Sequence, residues 1–189
     1  GTGAATIAWD NPIVTNGQDF TQGAGNVTYT VTGTDGNGCQ NTDQVDVTIN
    51  PTPTVDAITP QVLCNTAATN AIMFTGPIAG TTFSWTNNDP SIGLAAAGNG
   101  NIASFNATNA GFAPVVAIIS VTPTANGCPG TPVDFTITVN PTPVVDAMLD
   151  QVLCNNTMSA IVNPSSITPG TTFSWTNTNT AIGLGANGN

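Results

Sequence analysis

The sequence predicts an all-β chain of tandem β-sandwich domains, and three observations carry that prediction. A stretch beginning at Asn50, NPTPTVDAITPQVLCN, recurs as NPTPVVDAMLDQVLCN from Asn140, and the match continues without a gap to Asn189. β-Branched, partly alternating runs fill the intervals, the pattern of half-buried strands. Gly, Asn, Asp and Pro punctuate the gaps, and no segment shows a convincing helical period.

Taken in order, VTYTVTG (27–33) and QVDVTI (44–49) read as strands. TDGNGC (34–39) lies between them and reads as a hairpin turn, whose positive-φ positions suit Gly and Asn. NPTP follows at 50–53. Its Pro51 and Pro53 restrict φ and remove backbone donors, which favours an extended, semi-rigid joint, and Pro141 and Pro143 repeat it. The joint leads into a first strand ending in QVLCN, and TTFSWT (81–86) supplies a further strand around Trp85. GLAAAGNGN (93–101) is expected to be a loop or short turn, because it is short and closes on glycines. VVAIISVTP (115–123) and VDFTITV (133–139) are strands, after which the cycle restarts and GTTFSWTN and IGL appear again.

A second internal match sets the frame: NGCQNTDQVDVTINP from Asn37 against NGCPGTPVDFTITVNP from Asn126. The repeating unit therefore runs from about Pro51 to Asn140, the size of an immunoglobulin domain and too long for a solenoid repeat. Residues 1–50 are the C-terminal half of one unit, 51–140 a complete unit and 141–189 the N-terminal half of the next. Two arrangements fit this frame. Either the chain is a segment of a longer repeat protein, or half-domains are completed by neighbouring copies through strand complementation.

Charge excludes whole classes of function. All ten ionised side chains are Asp, with no Lys, Arg or His, for a formal net charge of -10. Nucleic-acid binding relies on Lys and Arg at phosphates, and anionic lipid attracts the same cations, so neither is expected as a partner. Catalysis lacks imidazole, amine and cationic oxyanion stabilisers, leaving an Asp pair as the one familiar acid–base device. Asp46 and Asp134 occupy related positions near final strands, but recurrence in successive units is the mark of solvated residues. No apolar run is long enough for a spanning helix, no signal peptide is visible, and GTGAATIAWD reads as the interior of a domain.

Within the complete unit the order is Cys64, Trp85, Cys128, as in immunoglobulin-like sandwiches where a bridge joins the sheets beside a tryptophan. The spacings are wider here and NGC falls at a strand end, so a peripheral bridge is expected. Parity pairs Cys64 with Cys128, the two cysteines of that unit, and leaves Cys39 and Cys154 to partners outside this segment. The alternative, Cys39 with Cys154, requires the ends to meet around a whole domain. Regular disulfides imply an oxidising, extracellular setting. Trp9, Trp85 and Trp175, each inside a strand-like run, are expected to pack in cores. Calcium is the one cofactor with any candidate ligands: Asp35 and Asn37 in the turn, and Asp56 and Asp146 just past the joints. Asn26, Asn106 and Asn155 match the N-glycosylation pattern, which an Asn- and Thr-rich chain meets by chance. The stretches 66–79 and 156–169 diverge most between units, so any binding specificity belongs there.

TYTVTGTDGNGCQNTDQVDVTINP (28–51), with NPTPTVDAI, QVLCN and GTTFSWTNNDPSIGL, resembles the PKD-like and immunoglobulin-like repeats of giant secreted surface proteins of the Bacteroidota. The resemblance implies tandem immunoglobulin-like (PKD-like) β-sandwich domains, secretion to the cell surface and long arrays within one chain; that the chain is not an enzyme is expected from its residues. The function it implies is a repeat unit of an extracellular fibre or stalk, or alternatively an adhesin module for glycan or another cell surface. Expected partners are neighbouring repeats or copies of the chain, and cell-surface glycans.

Overall fold

The computed structural model describes residues 5–189. Strands β1 (Thr6–Trp9), β2 (Gly25–Thr34) and β3 (Gln40–Ile49) form an antiparallel meander. The largest sheet contains β4 (Gln61–Cys64), β5 (Thr82–Asn87), β6 (Ala97–Asn99), β7 (Val115–Ala125), the two-residue β8 (Cys128–Pro129) and β9 (Val133–Asn140). Its order is β4-β9-β7-β5-β6, with β8 folded back on β7. β4 lies parallel to β9 and the other pairs are antiparallel. A ribbon of β10 (Trp175–Thr176) and β11 (Asn187–Gly188) follows.

The expected strands at 27–33, 44–49, 115–123 and 133–139 all form, and in β7 and β9 the alternation buries one face. In β7 the buried set is Ala117, Ile119, Val121, Pro123 and Ala125, and in β9 it is Phe135, Ile137 and Val139. The covering layer comes from segments 66–72 and 102–107, which run antiparallel through bonds such as Ile72 N to Ile102 O (2.8 Å) and Ala107 N to Ala67 O (2.9 Å). Ile72, Phe74, Ile102 and Ala107 from this layer complete the core with Trp85, Ile92 and Leu94. Each fully buried Ile or Val contributes about 1.5–3 kcal/mol.

Two buried asparagines of the middle unit have their polar groups satisfied. Asn109 donates through Nδ2 to Val139 O (2.7 Å) and Ala113 O (2.9 Å) and accepts from Gly111 N, while its own amide donates to Asn65 Oδ1. Asn87 bonds the carbonyls of Leu94 and Ala95 and accepts from Asp89 N. These bonds hold connections that have no ladder of their own.

One expectation fails within 93–101. Ala97–Asn99 is a strand, paired to β5 at Trp85↔Gly98. A Cβ on Gly98 would stand 2.2 Å from Trp85 Cζ2, so the glycine is there to let the indole lie on the strand. Gly188 does the same under Trp175.

The repeat is also a repeat of register. Gly25↔Ile49 in the first sheet matches Val115↔Val139 in the second, and Trp9↔Val31 matches Trp85↔Val121. Thus β1, β2 and β3 are the counterparts of β5, β7 and β9, although the connection from Trp9 to Val31 is shorter than that from Trp85 to Val121.

Candidate functional site

Among the described residues the structure gathers no catalytic constellation. A depression of about 680 Å³ beside β5 is walled by Thr81, Thr82, Phe83, Ser84, Asn99, Gly100 and Thr124, none of them ionisable. Asp46 is exposed and accepts from Thr28 Oγ1 (2.6 Å), while Asp134 is exposed on β9 of the other sheet. What the fold does organise is the two ends of the middle unit, where it meets the segments before and after it.

At the leading end, the chain turns from β7 to β8 through Asn126 and Gly127, whose φ values of 49° and 78° suit a two-residue hairpin. Asn50, the last residue before the joint, donates from Nδ2 to Asn126 O (3.3 Å). The following Pro53 is buried, and its carbonyl oxygen would lie 2.0 Å from a Cβ on Gly130. Glycine at 130 therefore lets the joint lie directly on the hairpin, fixing its path with few rotatable bonds. Pro51 is exposed, so the two prolines divide the work: Pro53 packs and Pro51 restricts the approach.

At the trailing end, β4 runs into a turn at Asn65 and Thr66, with Thr66 at φ 69°. Asn65 ties three segments together there. Its amide donates to Asn140 O (2.8 Å), its Oδ1 accepts from Asn109 N (2.8 Å), and its Nδ2 donates to Thr142 Oγ1 in the next joint (3.2 Å). Pro141 is buried at this end and Pro143 is exposed. The QVLCN motif thus ends in a residue that anchors the outgoing joint.

The cysteines correct the expected pairing. Cys39, Cys64, Cys128 and Cys154 form no disulfide with one another. Cys64 is in register with Asn140, the last residue of β9, whereas Cys128 lies past the opposite end, where Val133 meets Val121. The strand between them is about 23 Å long at about 3.3 Å per residue, whereas bridged cysteines have Cα atoms about 4–7 Å apart. A Cys64–Cys128 bridge within one unit is therefore excluded by register.

The tryptophans differ. Trp85 is 7 % exposed, sits in the core and donates its indole N–H to Gly100 O (3.2 Å). Trp9 is half-buried, with its indole nitrogen enclosed and unpaired. Trp175 is 37 % exposed, against the expectation of core burial. Residues 141–189 hold no counterparts of β7 and β9, the strands that continue the sheet beside Trp85 in the middle unit.

Among the described residues no three acidic, Cys or His side chains are placed to share a metal. Asp35 Oδ1 accepts from the amides of Asn37 and Cys39 (both 2.8 Å), an arrangement that closes the hairpin. Those amides, Cys39 first, hold its carboxyl below the ordinary aspartate value. Asp56 accepts from Thr75 Oγ1 (2.7 Å) and Asp146 from Ser165 Oγ (2.5 Å), equivalent bonds in successive units. The four calcium candidates thus serve as local braces in three separate places. Their oxygens were legible in the sequence, but their partners were not. Among the described residues no helix is long and apolar enough to cross a membrane.

The architecture defines the class as an immunoglobulin-type β-sandwich. Residues 61–143, which carry the complete sandwich from β4 to the outgoing joint, match the profile of the PKD-like domain family. No curated protein matches the chain. PKD-like domains of this type are typically non-catalytic and extracellular.

Proposed function

We propose that this chain is a load-bearing part of an extracellular fibre or cell-surface stalk, built of tandem PKD-like repeats. The observation that carries the proposal is the repeated register together with joints fixed at both ends of the middle unit. Elements that recur with the same pairing and are fastened through Asn50, Pro53 and Asn65 make a stiff row of domains. Without Lys or Arg the row offers no trypsin-type cleavage site, and uniform negative charge discourages bundling at low salt.

Completion by further repeats in the same chain is favoured over completion by separate copies. Trp9 and Trp175 both stand on counterparts of β5, so joining residues 141–189 of one copy to 1–50 of another would duplicate that strand. In the last unit Ile182 is 71 % exposed where its counterpart Ile92 is fully buried, an apolar face suited to strands like β7 and β9. The adhesin reading gains less support. Segment 66–79, the divergent stretch, contributes Ile72 and Phe74 to the core and forms the covering layer rather than a projecting loop.

The test is the reduced, denatured mass of the natively isolated protein, combined with electron micrographs. A mass far above 19.0 kDa and rows of regularly spaced domains are expected. A mass near 19.0 kDa with isolated particles would overturn the array. Binding of intact domains to an immobilised glycan panel would favour the adhesin instead.

A further inference from the structure

We propose that the cysteines staple the joints, each disulfide linking the QVLC cysteine of one repeat to the NGC cysteine of the repeat that follows. The inference rests on the tandem reading above. It begins with the two cysteines of the middle unit standing at opposite ends, Cys64 at the trailing end and Cys128 at the leading end. A bridge from either must therefore reach out of the unit.

The structure shows where the partner of Cys128 would stand. Cys64 is the register partner of Asn140, and Asn140 corresponds to Asn50 in the preceding unit. The cysteine of a preceding QVLC strand would thus lie beside Asn50. Asn50 Nδ2 is 3.3 Å from Asn126 O, and Cys128 Sγ is 4.0 Å from that same oxygen. The Cys128 thiol and the strand position beside Asn50 consequently converge on one carbonyl, across the joint. At the other end Cys64 is exposed beside the outgoing chain, facing the position that the next NGC hairpin would occupy. Cys39 and Cys154 repeat these two roles in the flanking units.

Formation of each staple removes two protons and two electrons from a pair of thiols as the S–S bond forms. The acceptor is the disulfide of a thiol oxidoreductase or of oxidised glutathione, which becomes two thiols. A covalent link at every joint resists separation of neighbouring domains where hydrogen bonds from single Asn side chains would yield.

Disulfide mapping of the natively isolated protein tests this. Free thiols are alkylated under denaturing conditions without reductant, and the chain is cut before Asp. Cys64 then falls on peptide 56–88, Cys128 on 89–133 and Cys39 on 35–42. The expected result is 56–88 linked to an NGC peptide other than 89–133, and 89–133 linked to a QVLC peptide other than 56–88. A link between 56–88 and 89–133, or alkylated cysteine on either peptide, would sink the staple. The reduced mass separates the two readings: alkylated thiols in a giant chain reject the staple alone, whereas cross-joint links in a chain of 19.0 kDa reject the single-chain array alone.

Discussion

Replacing Gly98 by alanine tests the packing on which the middle sandwich depends. The added Cβ would meet Trp85 at 2.2 Å from Cζ2, 2.7 Å from Cε2 and 2.9 Å from Cη2, and no real Cβ tolerates such approaches. The indole cannot swing aside freely, because it is buried in the core and its N–H is bonded to Gly100 O. Overpacking of this kind costs about 1–3 kcal/mol, and losing the indole hydrogen bond adds about 1 kcal/mol. Gly98→Ala should therefore destabilise the middle unit by about 2–4 kcal/mol. In urea, with a slope of about 1–3 kcal/mol per M, the midpoint should fall by about 1–2 M. Gly188→Ala is the internal control: the same contact forms against Trp175, but that ring is 37 % exposed and can move into solvent. Its effect should stay below about 1 kcal/mol, the range of surface substitutions with local adjustment. Equal effects at both positions, or none at Gly98, would refute the argument that burial of the ring makes this glycine necessary.

Two further outcomes follow from the hydrogen bonds. Asn109→Ala removes both donors to the Val139 and Ala113 carbonyls and the acceptor for Gly111 N; equilibrium unfolding should show a loss of about 2–4 kcal/mol, mostly from the buried groups left unpaired. For Asp35, a folded pKa below the unfolded one means its stabilising effect is present above the unfolded value and is lost as pH falls through the folded value. The amide resonances of Cys39 and Asn37 should thus titrate with a midpoint below 3.8, and Asp35→Asn should abolish that step.

Much of the fold was legible because its strands bury one face and alternate accordingly. β7 and β9 announce themselves through Ile119, Val121, Ile137 and Val139. The short strand at Ala97–Asn99 did not, because its defining residue is a glycine whose role is to be absent beside Trp85. The covering segment around Ile72 was equally quiet, since it is held by isolated bridges and by Thr69 bonding Phe105 rather than by a regular ladder. Parity suggested a Cys64–Cys128 pair, but counting carries no information about which end of a strand a residue occupies. That depends on the parallel pairing of β4 with β9, a long-range feature with no local signature.

That parallel pairing also gives the domain its direction. Because β4 runs alongside β9, the first strand of a unit finishes where the last strand leaves, and its terminal Cys64 and Asn65 stand at the outgoing joint. The hairpin between β7 and β8 lies at the opposite end and receives the incoming Asn50 and Pro53. Each unit is thus a polar connector, with one sequence motif at its tail and another at its head. In the proposed array, duplication of such a unit needs no new interface, since tail motif would meet head motif at every joint. In a chain whose only ionised side chains are ten Asp, no ion pair between side chains can hold neighbouring units together, and like charges repel along the row. Cohesion of the proposed array would then rest on uncharged contacts and on the proposed disulfides, and the motifs at the two ends place Asn amides, buried prolines and cysteines there.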